Sequence, residues 1–226
     1  MDIEKQYNLI GEKYISIKKK LKNGTEESRV KKFIMSSVDF RGKNILDLGC
    51  GSGDEIDFFK KAGAKGVYGI DSSELMIEKA KQIVKSPKRL FVANILNLPF
   101  PNNKFDIIVA NLLLYYISDL DSAWKEIARV LKKGGILIFI IPHPFSEIFL
   151  KKSKNYSKKE QISFNAHQKF ILKFPSHTLS EYLSESFLQL FEINKIWELT
   201  KQKEWTMGIN APIILGIKSK KNSGHS

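Results

Sequence analysis

Residues 47–55 read DLGCGSGDE. Three glycines, Gly49, Gly51 and Gly53, fall at alternate positions directly after the apolar run NILDLG. Glycine weakens helices and strands alike through its conformational entropy, so three so close together imply a special task for the backbone. A glycine loop between a buried strand and a helix N-terminus is a ligand cradle in an open α/β sheet, set in the crevice at the carboxyl ends of the strands.

The surroundings of the loop supply that sheet. NILDLG (44–49), VYGID (67–71), LFVAN (90–94), FDIIVAN (105–111) and ILIFII (136–141) are short, apolar and unalternated, the pattern of strands buried on both faces. Helical patterns lie between them: EIDFFKKAGA, SELMIEKAKQIV and LDSAWKEIARVLKKG, the last closing on a Lys-Lys-Gly-Gly stop. Two more strand-like runs, LFEINKIWEL and APIILGIK, follow near the end. Alternation of this kind predicts a Rossmann-like α/β fold: a doubly wound, seven-stranded, mostly parallel sheet with helices on both faces. One domain is expected, with N-terminal helices over 1–40, a binding core over 41–142, a lid over 143–180, C-terminal strands over 181–218 and a frayed tail over 219–226. The lid segment after Pro144 is lysine-rich and unperiodic, and SHTLSEYLSESF reads as one further helix with Ser176 or Thr178 as its cap.

The loop also discriminates among ligands. Dinucleotide binding needs G-x-G-x-x-G, and Asp54 stands where the third glycine belongs. A pyrophosphate would face Asp54, Glu55 and Asp57, and no Gly-Lys-Ser/Thr follows to make a phosphate loop. Asp71, at the end of the second strand run, lies about twenty residues beyond Gly49, the spacing at which a carboxylate takes a ribose diol. A ribose without phosphates, beside acids that welcome a cationic group, describes S-adenosylmethionine (SAM).

The combination of DLGCGSG, GIDSSELMIEKAK and FVANILNLPFPNNKFDIIVANLLLYYISDLDSAWKEIARVLKKGGILIFIIPHP resembles the class I SAM-dependent methyltransferases. The closer likeness is to the small-molecule branch called methyltransferase type 11, or ubiquinone/menaquinone-biosynthesis-like. It is strong over about 40–145 and weak beyond. The resemblance implies that Gly49, Cys50, Gly51 and Gly53 cradle the methionine half of SAM, with Asp47 reaching its amino group. Asp71 would hold the ribose hydroxyls, Ser72 and Met76 the adenine side, and Asn94 with Ile95 the adenine edge. Asn111 would face the methionine and the substrate channel, and Tyr7 and Tyr14 would fold over the cofactor. Two positions depart from the family pattern: Asn94 stands where an acid is usual, and Tyr115 where a histidine is frequent.

Methyl transfer from a sulfonium needs positioning and desolvation, plus a base where the acceptor must lose a proton. His143, in IPHPF after the fifth strand run, is the expected base; His167 and His177 are secondary candidates. Each named residue also has a plainer reading: Asp71 as a helix cap, Met76 as a core residue at helical spacing, His143 as a turn residue between two prolines. No metal site is expected.

Acceptor classes are narrowed by absent motifs. Asn111 is followed by Leu112 and Leu113, not by the Pro-Pro-aromatic of exocyclic-amine methylation of nucleobases. The single cysteine, Cys50, lies in the glycine loop and cannot serve as a pyrimidine nucleophile. The paired-Glu loop of arginine methyltransferases is missing. The expected acceptor is a small molecule, partly apolar or anionic, methylated on O, N or C.

Composition leaves alternatives open. The formal charge is +13, yet only four of 37 basic residues are arginine (Arg29, Arg41, Arg89 and Arg129), which weakens a nucleic-acid reading because arginine supplies the bidentate fork for phosphate and guanine. An RNA methyltransferase using lid aromatics and lysines as a stacking surface, or a SAM-binding protein without turnover, are the competing functions. No run of about 18 uncharged apolar residues is present, and no secretory pattern opens the chain. One cysteine suits a reducing compartment, so a cytoplasmic location is expected.

Overall fold

The computed structural model describes residues 3–21, 25–85, 87–166, 170–202 and 210–223. Two helices lead, α1 (Ile3–Leu21) and α2 (Thr25–Ser37). The alternating core follows: β1 (Asn44–Leu48), α3 (Asp54–Lys61), β2 (Gly66–Asp71), α4 (Glu74–Ile83), β3 (Leu90–Val92), β4 (Phe105–Asn111), α5 (Leu120–Val130) and β5 (Leu131–Pro142). Then come α6 (Pro144–Glu147), the hairpin strands β6 (Gln161–Ala166) and β7 (Phe170–Pro175), α7 (Leu179–Tyr182), α8 (Glu185–Leu190), β8 (Phe191–Gln202) and β9 (Asn210–Lys221).

Seven strands form one sheet in the order β3-β2-β1-β4-β5-β9-β8. All neighbours from β3 to β5 pair in parallel, while β9 runs antiparallel between β5 and β8. Strand order reverses between β1 and β4, and that switch point is where an open α/β sheet leaves a crevice. The expected doubly wound, mostly parallel sheet is therefore observed.

Why the central runs lack alternation is visible in their burial. Ile45, Ile107, Val109, Ile138 and Ile140 join a core with α2, α3 and α4 on one face. Their neighbours Leu46, Leu48, Ile108, Ala110, Leu137 and Phe139 join the core on the other face, with Trp124 of α5. Both faces are dry, so both sets of side chains are apolar. At the sheet's antiparallel side, Phe33 of α2 stacks on Trp197 of β8, ring centroids 5.1 Å apart and 12° from parallel. Gly216 of β9 makes room for that stack: a Cβ there would lie 2.7 Å from Phe33 and 3.1 Å from Trp197.

Three expectations need correction. The lysine-rich segment after Pro144 contains an antiparallel hairpin, β6–β7. Its cue is the alternation in FILKFP, where Phe170, Leu172 and Phe174 are buried and Ile171 and Lys173 exposed, a short period hidden among lysines. The single helix expected in SHTLSEYLSESF is two, because Thr178 and Ser184 each cap a separate helix. Thr178 forms a capping box with Glu181. Of the expected tail, residues 224–226 lie outside the described residues, while Ser219–Lys221 belong to β9.

Substituting Gly216→Val should separate α2 from the sheet and lower stability by about 1–3 kcal/mol, the usual range for overpacking. A drop in the urea midpoint with an unchanged slope is the expected measurement.

Candidate active site

Sequence places the glycine loop at the switch point, and the backbone there uses what glycine allows. Gly49, Gly51 and Gly53 all have positive φ, at 69°, 51° and 82°. The loop is fixed from behind: Cys50 N–H donates to the Ile70 carbonyl at 2.8 Å, and Gly51 N–H donates to Asp71 Oδ2 at 3.0 Å. Ser73 N–H donates to the other oxygen, Oδ1, at 2.9 Å. One carboxylate thus holds the turn after β1 against the turn after β2. Burial raises the Asp71 pKa while the two backbone N–H groups pull it down.

Above these turns lies a cavity of about 650 Å³. Its wall includes Gly49, Cys50, Gly51, Asp71, Ser72, Met76, Asn94, Ile95, Asn111 and Tyr14. The remaining cofactor candidates, Asp47 and Gly53, are not on the wall. Asp47 is fully buried in β1. Gly53 is the N-cap of α3, and a Cβ there would lie 2.8 Å from Val84.

The polar groups of the wall differ in how far they are engaged. Asn111 Nδ2 donates to Glu55 Oε1 at 2.7 Å, and its buried Oδ1 finds no hydrogen-bond partner among the described residues. Asn94 Oδ1 accepts from Leu96 N–H at 2.9 Å, closing a local turn that shapes the wall. The Cys50 thiol is pushed well up by burial, with Asp47 adding to the effect, so it stays neutral.

The roof is built by elements far apart in sequence. Tyr7 and Tyr14 of α1, Tyr115 and Tyr116 after β4, and Phe164 and Leu172 of the hairpin all reach the cavity. Gln6 anchors α1 to the hairpin as a strand would, donating Nε2–H to the Lys173 carbonyl at 3.0 Å and accepting Lys173 N–H on Oε1 at 2.8 Å. On its other side α1 meets α4 so closely that a Cβ on Gly11 would lie 2.7 Å from Leu75.

The histidine candidates fall elsewhere. His143 is buried outside the cavity wall and caps α6, its Nδ1 accepting Phe145 N–H at 3.1 Å. Its Nε2 lies 2.9 Å from Glu198 Oε1, so with Nδ1 accepting, Nε2 carries the proton and donates. The residue expected as the base thus caps α6 off the cavity wall, its pKa lowered by burial against the opposing Glu198. His177 is also buried off the wall, and His167 lies outside the described residues. The lid aromatics are divided: Phe170 and Phe174 are buried, while Phe145 is exposed. Lys151 is buried too, bound to the carbonyls of Asn155, Tyr156 and Lys158 at 3.1, 2.6 and 2.6 Å.

Sequence reading misses Glu147, which is 1% exposed at the end of α6. His177 N–H approaches its Oε2 at 3.4 Å, and its Oε1 has no hydrogen-bond partner among the described residues. Burial drives its pKa up to about 8. In PFSE the residue reads as an ordinary first-turn acid; its burial comes from elements distant in sequence, with His177 among its neighbours.

That burial sets a pH dependence. The folded protein keeps the Glu147 proton up to about 8, while an unfolded chain releases it near 4.5. Ionisation in this window favours the unfolded chain, so stability falls as pH rises from about 4.5 to about 8. The Glu147→Gln variant should be more stable than wild type at pH 8 by about 2–4 kcal/mol and show little gain near pH 4.5. Urea titrations at the two pH values test this.

Comparisons with known proteins agree with the geometry. A family model described as a methyltransferase domain matches residues 46–139. The chain is 30% identical over 222 residues to the demethylmenaquinone methyltransferase of Staphylococcus haemolyticus, covering 85% of this chain and 84% of that protein. It is 32% identical over 169 residues to the Staphylococcus epidermidis protein of the same name, covering 63% of this chain and 70% of the other. A solved S-adenosylmethionine-dependent methyltransferase from Listeria monocytogenes superposes with a TM-score of 0.69 at 24% identity, covering 86% of this chain and 99% of that one.

Proposed function

The chain belongs to the SAM-dependent methyltransferases, and from that premise we propose that its cavity holds SAM on the glycine loop and a small-molecule acceptor under the tyrosine roof. The observation that carries this reading is the convergence of a positive-φ glycine turn and the Asp71 carboxylate on one wall of one cavity.

The residues present fit the cofactor. No atom lies within 4 Å of where a Gly51 Cβ would be, so bare backbone faces open space. Asn111 Oδ1 is a buried acceptor awaiting a donor. In this reading the backbone of Gly49, Cys50 and Gly51 takes the methionine portion and Asp71 the ribose hydroxyls. Ser72, Met76, Asn94 and Ile95 flank the adenine, and Asn111 and Tyr14 close the methionine side. Asp47 and Gly53 contribute from outside the wall, Asp47 from its buried place in β1 and Gly53 by starting α3.

When bound, SAM supplies an electrophilic methyl on a sulfonium. The chain's own residues orient the acceptor and exclude water. Tyr7, Tyr115, Tyr116, Phe164 and Leu172 give the acceptor chamber an apolar, enclosed lining, which strengthens the electrostatic interactions inside it. A small-molecule acceptor suits this volume, and the names of the relatives point the same way. Among the described residues no helix is long and apolar enough to cross a membrane.

Asp71→Ala should weaken SAM binding at least tenfold or so by calorimetry, whereas His143→Ala should change that affinity by less than about twofold while lowering stability by about 1 kcal/mol. Equal SAM affinity in wild type and Asp71→Ala would rule out the cofactor placement. Turnover of SAM to S-adenosylhomocysteine against a metabolite extract, with mass spectrometry of the methylated product, tests the acceptor class.

A further inference from the structure

Among the described residues, three other than glycine adopt a left-handed φ: Asn103 at 55°, Leu112 at 54° and Lys154 at 53°. Asparagine enters that region readily because its short polar side chain bonds locally, and Lys154 sits on an exposed loop. Leucine has no such relief. Its Cβ crowds the following carbonyl oxygen there, so the conformation costs stability. Of the three, Leu112 alone lies on the cavity wall. Strained backbone of this kind persists only where its surroundings over-determine it, and it clusters at functional sites.

The surroundings that hold Leu112 are visible on both sides of it. Asn111 closes β4 opposite Ile140 and donates Nδ2–H to Glu55 Oε1 at 2.7 Å. Leu112 N–H donates to the Ile140 carbonyl at 2.8 Å. Leu113 then presses on the glycine loop, where a Cβ on Gly49 would lie 3.0 Å from its Cδ1, and Leu114 is fully buried. With both flanks fixed, the backbone turns through Leu112 in the left-handed form, and the residue is left 42% exposed on the cavity wall. A glycine would make the same turn without strain. What leucine adds is an apolar side chain.

Position in the sheet separates this side chain from most of the residues assigned to SAM. Those follow β1, β2 and β3, whereas Leu112 bonds to β5, on the other side of β4. Two further apolar wall residues share that side, Ile214 of β9 and Val30 of α2, and both pack in one cluster with Ile140. Lys31, the one lysine of the described wall, is bound to Glu27, Nζ to Oε1 at 2.6 Å. The other charged residues of the wall are acids: Glu4, Glu26, Glu55, Asp71 and Asp119. An anionic acceptor, one of the two kinds expected from sequence, therefore meets no unengaged cation among the described wall residues.

We propose that Leu112 is a specificity-determining residue for the acceptor: its strained turn stands an apolar side chain on the β5 side of the cavity, and a neutral acceptor covers it with an apolar surface. The inference rests on the methyltransferase reading and narrows its acceptor. Covering an exposed leucine removes apolar surface from water, which favours binding in proportion to the area covered.

The test uses the full chain saturated with S-adenosylhomocysteine and 2-naphthol as a neutral apolar probe, followed by calorimetry. 2-Naphthol is expected to bind wild type saturably, and at least about fivefold more weakly in Leu112→Ala and Leu112→Gly. Leu112→Met keeps the apolar bulk and should stay within about twofold of wild type. In separate titrations, S-adenosylhomocysteine affinity should change by less than about twofold in all three variants. Urea unfolding reads the strain independently. Leu112→Gly should have a higher midpoint than Leu112→Ala at the same slope, the reverse of the order at an ordinary exposed position. No binding of 2-naphthol to wild type, undiminished binding in Leu112→Ala and Leu112→Gly, weakened binding in Leu112→Met, or a midpoint no higher for glycine than for alanine would each overturn the inference. A loss of S-adenosylhomocysteine affinity as large as the loss of 2-naphthol would also overturn it, by giving Leu112 to the cofactor. Failure of wild type itself to bind S-adenosylhomocysteine defeats the methyltransferase reading beneath it instead.

Discussion

The Asp71 carboxylate is the tie on which the site depends. Its two oxygens accept the N–H groups of Gly51 and Ser73, one from each of two neighbouring strand ends. Those donors would otherwise be unsatisfied turn amides in a half-buried crevice, where an unmade hydrogen bond is costly. With the tie in place, the glycine loop has one shape and the cavity one floor. Gly51 and Asp71 are therefore partners before any ligand arrives, and preorganisation of this kind cuts the ordering cost of binding.

Above that floor the roof is largely tyrosine and phenylalanine. Helix α1 is held in it by the Gln6 amide, by Ser73 Oγ–H donating to Asn8 Oδ1 at 2.6 Å and by the Lys79–Glu12 ion pair at 3.0 Å. The lysine on the described cavity wall, Lys31, is paired with Glu27, and Lys151 disappears into a loop as a hub for three carbonyls. Net charge is in this way decoupled from site charge. A formal charge describes the surface that solvent sees; the wall of a cleft can have the opposite sign.

How much of this could be read from sequence varied with the physics. The central strands and the glycine loop were legible because buried parallel strands must be uniformly apolar and positive-φ turns favour glycine. Asp71 was legible through its spacing from Gly49. The hairpin was obscured because one face of β7 alternates Ile171 and Lys173 outward, so its lysines resemble a solvated loop. Ser184 looked like a helix interior and acts as a cap. The surroundings of His143 and Glu147 were not legible for one reason: both owe part of their environment to segments that return from residues 177–198, and local pattern carries no information about such returns.

The Gln6 attachment has a consequence for assembly. Its partner, Lys173, lies 167 positions later in the chain. During synthesis from the N-terminus, α1 has no hairpin to dock on until most of the polypeptide has been made. Contacts of such separation form late because loop closure must come first. α1 can pack on α4 before the hairpin exists, but the chamber it roofs closes only when the hairpin behind it is complete.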